Sequence, residues 1–587
     1  MCMMCALSVD GHLDGFHPRI DGLIGYLSGT GAAAVDPGPY DPVESLDTGA
    51  RIDGRVIDVV FAPPGYQTPL TSYGRIDAEA FSDYEIARFE SAFDMIEAVI
   101  DVEFRITTDP DRADLTLVLD SDDLGGATLG FMYFPLGTAL DGLGVFNGAL
   151  WDDGPGGDLE DGGIGMTTIV HELLHGLGLA HPHDDVLGTD VLAGVLASSG
   201  SYGIHELNQG IFTTMSYNRG WSTGEWGAPR DFDGRWGSEL GPMALDIAAL
   251  QRLYGPNLAH ATGDDVYRLP DVNDSGTYWR ALWDAGGIDT IVYDGMRDLR
   301  IDLNAATLEG DYGGGGPISS AMGIAGGFTI AHGVVIENAF GGAGSDNITG
   351  NGVANTLRGE AGDDALLGGG GDDELHGGTG DDWLDGGEGD DVLRGGPGRD
   401  VLYGGSGQNV LNGQRHGDTL HGGDDRDILR GGGGSDTIWG HGGDDRIKGG
   451  TRRDIAHGGD GDDIISGNRH DDTLFGGAGD DRLNGGGGDD WLEGGSGNDW
   501  LRGGEGADRF VFRPDFGRDR IDDFDPGLDR LLIDSAIAPD LDAAEIAARV
   551  LRGAEGLVLD FGADQVLFLD GLDTTDGLAG AILLGSW

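Results

Sequence analysis

The sequence predicts an α+β domain followed by an all-β parallel coil, and three observations point to it. Residues 341–511 repeat every nine residues without a break, a period that belongs to stacked β architectures. Ahead of them, segments with helical spacing are interleaved with a strictly alternating one. Between the two, over about 259–340, the helical period disappears and short apolar runs such as Thr290-Ile291-Val292-Tyr293 are separated by turns. A chain of 587 residues has room for several cores. Its 114 glycines far exceed the usual share of about 7%, and the repeat absorbs the excess.

Taken in order, residues 1–50 are rich in Gly, Asp and Pro and read as a flexible N-terminal or pro-segment. A domain over 51–258 follows. Ser82-Asp83-Tyr84-Glu85 has the spacing of a capping box, and Phe81 can staple onto Ile86. Behind it Ile86, Phe89, Phe93, Ile96 and Ile100 share one helical face. Leu115, Leu117 and Leu119 alternate, the mark of a half-buried strand. A further helix is expected after Pro242, through Ile247 and Leu250, closing at Gly255. Residues 259–340 read as β structure leading into the coil. Residues 512–587 lose the period and form a β-rich cap with a helical stretch near 543–551.

The nine-residue unit is G-G-x-G-x-D-x-U-x, with an apolar residue at U: Ile348, Leu357, Leu366, Leu375, Leu384, Leu393 and onward, only Ala456 being small. One apolar residue per unit suits a coil whose short strands face a narrow shared core. The glycines permit left-handed turns with inward carbonyls. The sixth position sets a carboxylate beside them: Asp346, Asp364, Asp373, Asp382, Asp391, Asp400, Asp436, Asp463, Asp481, Asp490 and Asp499. Carboxylate and carbonyl oxygens together are the ligand set of calcium, so several Ca2+ ions are expected. A Gly-rich linker would not keep an apolar residue in phase. Asn355 and Asn409 replace the sixth-position Asp, and Val353, His416, Asp425, Arg452 and His470 replace the fourth-position Gly. Fewer ions are therefore expected over roughly 413–457.

The second motif is His171-Glu172-Leu173-Leu174-His175-Gly176-Leu177-Gly178-Leu179-Ala180-His181. Residues four apart share a helix face, so His171 and His175 can hold one metal ion. Gly178 can end the helix in a left-handed conformation and return the chain, which brings His181 to the same ion. Three protein ligands leave a position open, as catalytic zinc requires. Glu172 is then placed as a general base. H-E-x-x-H alone is weak; the extended pattern with Gly178 and His181 is specific.

This extended motif resembles that of the metzincin zinc peptidases. Thr214-Met215-Ser216-Tyr217 is similar to their Met-turn, which implies Met215 as an apolar floor beneath one zinc ion. Tyr217 is similar to the additional tyrosine ligand of the serralysins, implying a phenol that binds zinc at rest and the oxyanion in the transition state. His181-Pro182 followed by Asp184, and the segments 242–255 and 333–342, match serralysins as well; the likeness runs over roughly 80–515, with 523–532 similar to their C-terminal region. The nonapeptides resemble the RTX repeats of bacterial exoproteins, which implies a parallel β-roll with calcium between turns. The implied protein is a monomeric, secreted zinc endopeptidase acting on extracellular polypeptides. It would be exported by a type I apparatus through an uncleaved C-terminal signal.

Composition narrows the alternatives. With 35 Lys+Arg against 103 Asp+Glu the net charge is −68, which excludes general affinity for nucleic acid or anionic membranes. Residues 1–9 lack the basic and apolar regions of a cleavable leader, and no apolar run is long enough to span a bilayer. Gly220-Trp221-Ser222-Thr223-Gly224 fits G-x-S-x-G without the strand and helix a serine hydrolase needs. Cys2 and Cys5 are the only cysteines; an inert terminus or a thiolate plug on the zinc are both open to them. A calcium-binding surface or adhesion protein is the alternative from another class.

Overall fold

A computed structural model of the chain describes residues 41–586 apart from 70–74, 123–128, 152–153, 184–188, 190, 194, 198–200, 204, 219–234, 310–313 and 563. Cys2, Cys5, Asp184 and the 220–224 motif lie outside the described residues.

The N-terminal half is built on a five-stranded sheet of β1 (Val56–Phe61), β2 (Glu103–Ile106), β3 (Leu115–Asp120), β4 (Gly130–Met132) and β5 (Leu143–Asn147), in the order β2-β1-β3-β5-β4. All pairings are parallel except β4 against β5. The alternation of leucines predicts a half-buried β3, whereas Leu115, Leu117, Val118 and Leu119 are all buried. The reason is that both faces of the sheet are covered, as parallel sheets require. Val118, Leu143 and Val145 pack with Ala62, Ile76 and Ala78, while Phe146 meets Phe89 of α1 (Asp83–Val99) edge to face at 4.8 Å.

Helix α1 starts in a reciprocal capping box: Glu85 N–H donates to Ser82 Oγ and Ser82 N–H to Glu85 Oε2. The ring contacts of Phe81 are with Phe61 and Phe89, one turn beyond Ile86. Helix α2 (Ile164–Gly176) is buried along nearly its whole length, and α3 (Ala244–Tyr254) ends at Gly255 with φ 83°. Residues 41–50 correct the expectation of a loose segment over 1–50. Val43 and Leu46 are fully buried, Pro42–Ser45 form a 3-10 turn, and Ala180 N–H donates to Leu46 O at 2.8 Å. An apolar pair in an otherwise Gly- and Pro-rich stretch was enough to dock it.

From residue 338 to 533 the chain winds as a parallel β-solenoid, the β-roll, preceded by the mixed α/β half. Alternate repeats fall on opposite sheets, so each strand pairs with the one 18 residues on, as Leu366 with Leu384 and Leu375 with Leu393. Eighth-position residues from Ile348 to Leu501 point inward and are at most 2% exposed, Ala456 included. First-position glycines face the same core. A Cβ on Gly368 would stand 2.3 Å from Asp373 Oδ2, so no larger residue fits. Strands of 259–340 begin both sheets, Thr290–Val292 one and Leu299–Asp302 the other. Strands after 512 complete them: Arg530–Asp534 and Ile582–Gly585 extend one sheet, Arg518–Ile521 and Gln565–Asp570 the other. The C-terminal region is therefore continuous with the roll, and it carries the short helix Ala543–Ala548.

Candidate active site and metal sites

Helix α2 presents His171, Glu172 and His175 from a buried face. Gly178, with φ 105°, turns the chain immediately afterwards. A Cβ there would meet Ala50 O at 2.0 Å, so glycine is required both by backbone conformation and by the docked 41–50 segment. The return brings His181 Nε2 to 3.0 Å from His171 Nε2 and 3.0 Å from His175 Nε2. The opposite ring nitrogens are held by carbonyls: His171 Nδ1 is 2.8 Å from Thr214 O and His175 Nδ1 2.7 Å from Leu179 O. A carbonyl can only accept, so each Nδ1 carries the proton and each Nε2 keeps a lone pair directed at the common point. Burial holds the His175 pKa well below the usual histidine value and that of His181 down at about 2, the neighbouring histidines adding to it. Three imidazoles whose Nε2 atoms converge in this way fit one zinc ion.

Glu172 is 8% exposed, and burial raises its carboxyl to about 8, partly opposed by a backbone hydrogen bond at Met132. Met132 closes β4, the antiparallel edge strand of the sheet. Met215 is fully buried. Tyr217, by contrast, is 49% exposed, with its ring centroid 4.8 Å from that of His181 and 5.8 Å from that of His171.

Two neighbours of this cluster were not singled out from sequence. His183 stacks on His181 at 4.8 Å and lies 5.0 Å from Tyr217. Asp246, fully buried on α3, accepts from Thr213 Oγ1 and Thr214 N–H at 2.6 Å each and from Met243 N–H at 2.9 Å. It thereby ties the turn bearing Met215 to the start of α3. Asp246→Ala is expected to leave those buried donors unsatisfied, at a cost of about 1–3 kcal/mol each. A clear drop in midpoint in thermal unfolding checks this; an unchanged midpoint would contradict it.

In the roll the sixth-position residues form two ladders. One runs through Asp346, Asp364, Asp382, Asp400, Asp418 and Asp436 onward, the other through Asn355, Asp373, Asp391, Asn409, Asp427 and Asp445 onward. From Asp364 onward each Oδ1 accepts from the backbone N–H of the residue one coil earlier, as Asp382 from Asp364 at 2.9 Å and Asp391 from Asp373 at 2.8 Å, whereas Asn355 Oδ1 accepts from Asn351 N–H. The Oδ2 atoms of Asp373, Asp382, Asp391, Asp400, Asp436, Asp463, Asp481, Asp490 and Asp499 are buried without a hydrogen-bond partner. Burial, with the neighbouring carboxylates, raises these groups to values from about 6 at Asp391 to about 9 at Asp382. Rows of buried, partnerless carboxylate oxygens fit a hard cation. Asp346 differs: its oxygens accept from Leu299 N–H and Gly342 N–H. Asp418, Asp427, Asp445, Asp454, Asp472 and Asp519 share the partnerless arrangement. The middle of the roll thus keeps the sixth-position geometry. Of its departures at the fourth position, His416 and Arg452 are left-handed non-glycine residues, as is His470 further along.

A further acidic cluster lies in the segment before the roll. Asp265, Asp284 and Asp289 offer oxygens within 4.8 Å of one another, and Asp289, fully buried, has a partnerless Oδ2 and a carboxyl raised by burial to about 6. It had no sequence signal, because separate turns supply its members.

Several known proteins are similar to parts of this chain. Residues 340–512 match the RTX calcium-binding nonapeptide repeat in five successive segments. Serralysin of Proteus mirabilis is 31% identical over 333 residues, 52% of this chain and 62% of that protein. Serralysin of Photorhabdus luminescens is 34% identical over 282 residues, 46% of this chain and 53% of the relative. Over these spans the chain is similar to serralysins. Serralysin C of Dickeya chrysanthemi is 38% identical over 192 residues, 31% of this chain and 35% of the relative. The chain thus spans between a third and under two thirds of the length of these curated relatives. Among the described residues no helix is long and apolar enough to cross a membrane.

Proposed function

We propose that the chain is a secreted zinc endopeptidase, stabilised by calcium, that hydrolyses extracellular polypeptides. The observation that carries this reading is the convergence of three Nε2 lone pairs beside a buried carboxylate. His171, His175 and His181 would hold the zinc, which supplies Lewis-acid polarisation of the scissile carbonyl and activation of water. Glu172 takes the proton from the attacking water and passes it to the departing amine. Met215 floors the site. The outer edge of β4 takes an extended peptide by strand addition, which lays the scissile bond along α2. The catalytic domain is assigned to 51–258, the calcium-binding roll to 341–511 with its lead-in at 259–340, and the export signal for a type I apparatus to the cap at 512–587. The Asp265, Asp284 and Asp289 cluster takes a structural calcium ion.

Tyr217, exposed beside the histidines, is assigned to the oxyanion. Tyr217→Phe is expected to lower kcat by on the order of 10²-fold with little change in KM, because the phenol acts mainly in the transition state. Steady-state cleavage of a quenched fluorescent peptide reads this; an unchanged kcat would remove Tyr217 from the chemistry. A caseinase assay with a zinc chelator in saturating calcium tests the whole reading. No cleavage by the zinc-replete protein would point instead to a non-catalytic calcium-binding surface or adhesion protein, and cleavage that survives complete loss of zinc would contradict the zinc mechanism.

A further inference from the structure

In the middle of the roll the Lys and Arg side chains of the strands are sorted onto one of the two sheets. Strands Val410–Arg415, Ile428–Gly433, Arg446–Thr451, Ile464–Arg469 and Arg482–Gly487 lie side by side in one sheet. Together they carry Arg415, Arg430, Arg446, Lys448, Arg469 and Arg482, and neither Asp nor Glu. The strands that alternate with them in the other sheet, Val401–Ser406, Thr419–Gly423, Thr437–Gly442, Ile455–Asp460 and Thr473–Ala478, carry no Lys or Arg. In a chain of net charge −68 composition does not produce such sorting. All six cations are exposed. Alternation along the strand explains four of them: Leu429, Ile447 and Leu483 point into the core, so Arg430, Arg446, Lys448 and Arg482 point out. The ion pairs of the roll use other arginines, Arg394, Arg399, Arg453 and Arg502. None of the six joins one among the described residues.

We infer that this strip binds a linear acidic polysaccharide, a polymer of uronate sugars, laid along the axis of the roll. Neighbouring strands are about 4.8 Å apart, so the five strands give a strip roughly 20 Å long, and six-residue strands make it at most about 20 Å wide. One margin is acidic, because the exposed Asp424, Asp444, Asp462 and Asp480 precede the strands. The register sets Asn412, Arg430, Lys448, Ser466 and Asn484 in single file across the sheet. Carboxylates along a uronate chain meet the guanidinium and ammonium groups, and sugar hydroxyls meet the amides and the hydroxyl of the same file. Beyond about 8 Å charges are largely screened at physiological salt, so a ligand on the file feels these cations more than the acidic remainder of the chain. Other polyanions fit less well. The strands are interior to their sheet, with both edges paired, so a peptide cannot add as a further strand. They carry no aromatic residue, so the bases of a single-stranded nucleic acid have nothing to stack on. A duplex or a bilayer is broad enough to carry its charge over the acidic margin. The site is independent of the peptidase chemistry of the N-terminal half.

Calorimetric titration of the full chain with an oligogalacturonate too short to gel, in saturating calcium and at low and physiological salt, tests the site. Wild type is expected to bind it, more weakly as salt rises. Arg430→Gln combined with Lys448→Gln removes the central pair of the file. Affinity is then expected to fall by on the order of tenfold, with the circular dichroism in calcium unchanged. Arg55→Gln combined with Arg112→Gln makes the same change of charge at exposed positions of the N-terminal half and is expected to bind as wild type does. Oligothymidylate and polyglutamate of the same charge are expected to bind more weakly than the oligogalacturonate. No binding by wild type, or equal binding by wild type and the Arg430→Gln, Lys448→Gln variant, would overturn the site. A loss as large in the Arg55→Gln, Arg112→Gln variant would overturn it too and leave an effect of net charge. Equal or tighter binding of oligothymidylate or polyglutamate would overturn the choice of partner.

Discussion

Glu172→Gln is expected to keep one zinc ion bound and to lose peptidase activity by about 10²–10⁴-fold, the span a positioned general base supplies. The substitution is nearly isosteric, and the three histidines do not depend on it. Their Nδ1 atoms are held elsewhere, by Thr214 O and Leu179 O. The carboxyl is buried and raised to about 8 by that burial, so it gains little stability from being charged, and its replacement should not unfold the domain. Metal analysis beside single-turnover cleavage reads both halves. Substantial turnover by a zinc-replete variant would take the base role from Glu172, and loss of zinc would show that the carboxylate supports the ligands instead.

Removal of calcium is expected to unfold the roll at neutral pH and to leave it folded in mild acid. The ladder carboxyls are raised in the fold from the ordinary 3.8 to about 7 at Asp373 and Asp490 and about 8 at Asp418, Asp445 and Asp472. A raised acid binds its proton more tightly folded than unfolded. The stability it contributes is complete below the unfolded value near 4 and is lost as pH rises through about 6–9. Calcium in place of the proton as the partner of the partnerless Oδ2 atoms would make binding release protons and tighten as pH rises. With one apolar residue per repeat, the core alone cannot offset ordering nine residues and gathering their carboxylates. Extracellular calcium modules work near 10⁻⁴–10⁻³ M, well above cytosolic calcium, so the repeats are expected to stay unfolded at cytosolic calcium levels. Far-UV circular dichroism of the full chain in EGTA, followed from pH 7.5 to 5, should show β structure returning as pH falls. A roll fully folded in EGTA at pH 7.5, or calcium affinity indifferent to pH, would contradict this.

What could be read from the sequence is what depends on local period. The nine-residue repeat fixes the inward Leu and the sixth-position Asp of each coil by position alone, and H-E-x-x-H-x-x-G-x-x-H places its three histidines within one helix and its return. The α3 boundary at Gly255 follows from one glycine. Features that join distant segments could not be read in this way. Asp246 matters because α3 packs under the turn at 213–215, and β3 is buried twice because Ala62, Ile76 and Ala78 cover its second face. The docking of 41–50 beside Gly178 rests on the buried Val43 and Leu46 and on backbone-directed hydrogen bonds of Thr48 and Leu46, in a stretch whose composition suggests a loop. The fourth-position substitutions suggest a calcium-poor middle of the roll, but the ladder geometry is set one position pair later, by the aspartate and the glycine that makes room for it.

The most direct test of the central claim is to strip zinc from the purified chain while calcium stays saturating, then restore it stoichiometrically and follow cleavage of a protein substrate by mass spectrometry. The expected result is a folded, inactive apoprotein that regains internal peptide-bond cleavage with one equivalent of zinc. Undiminished cleavage by the zinc-free protein, or none by the zinc-replete one, would contradict the account.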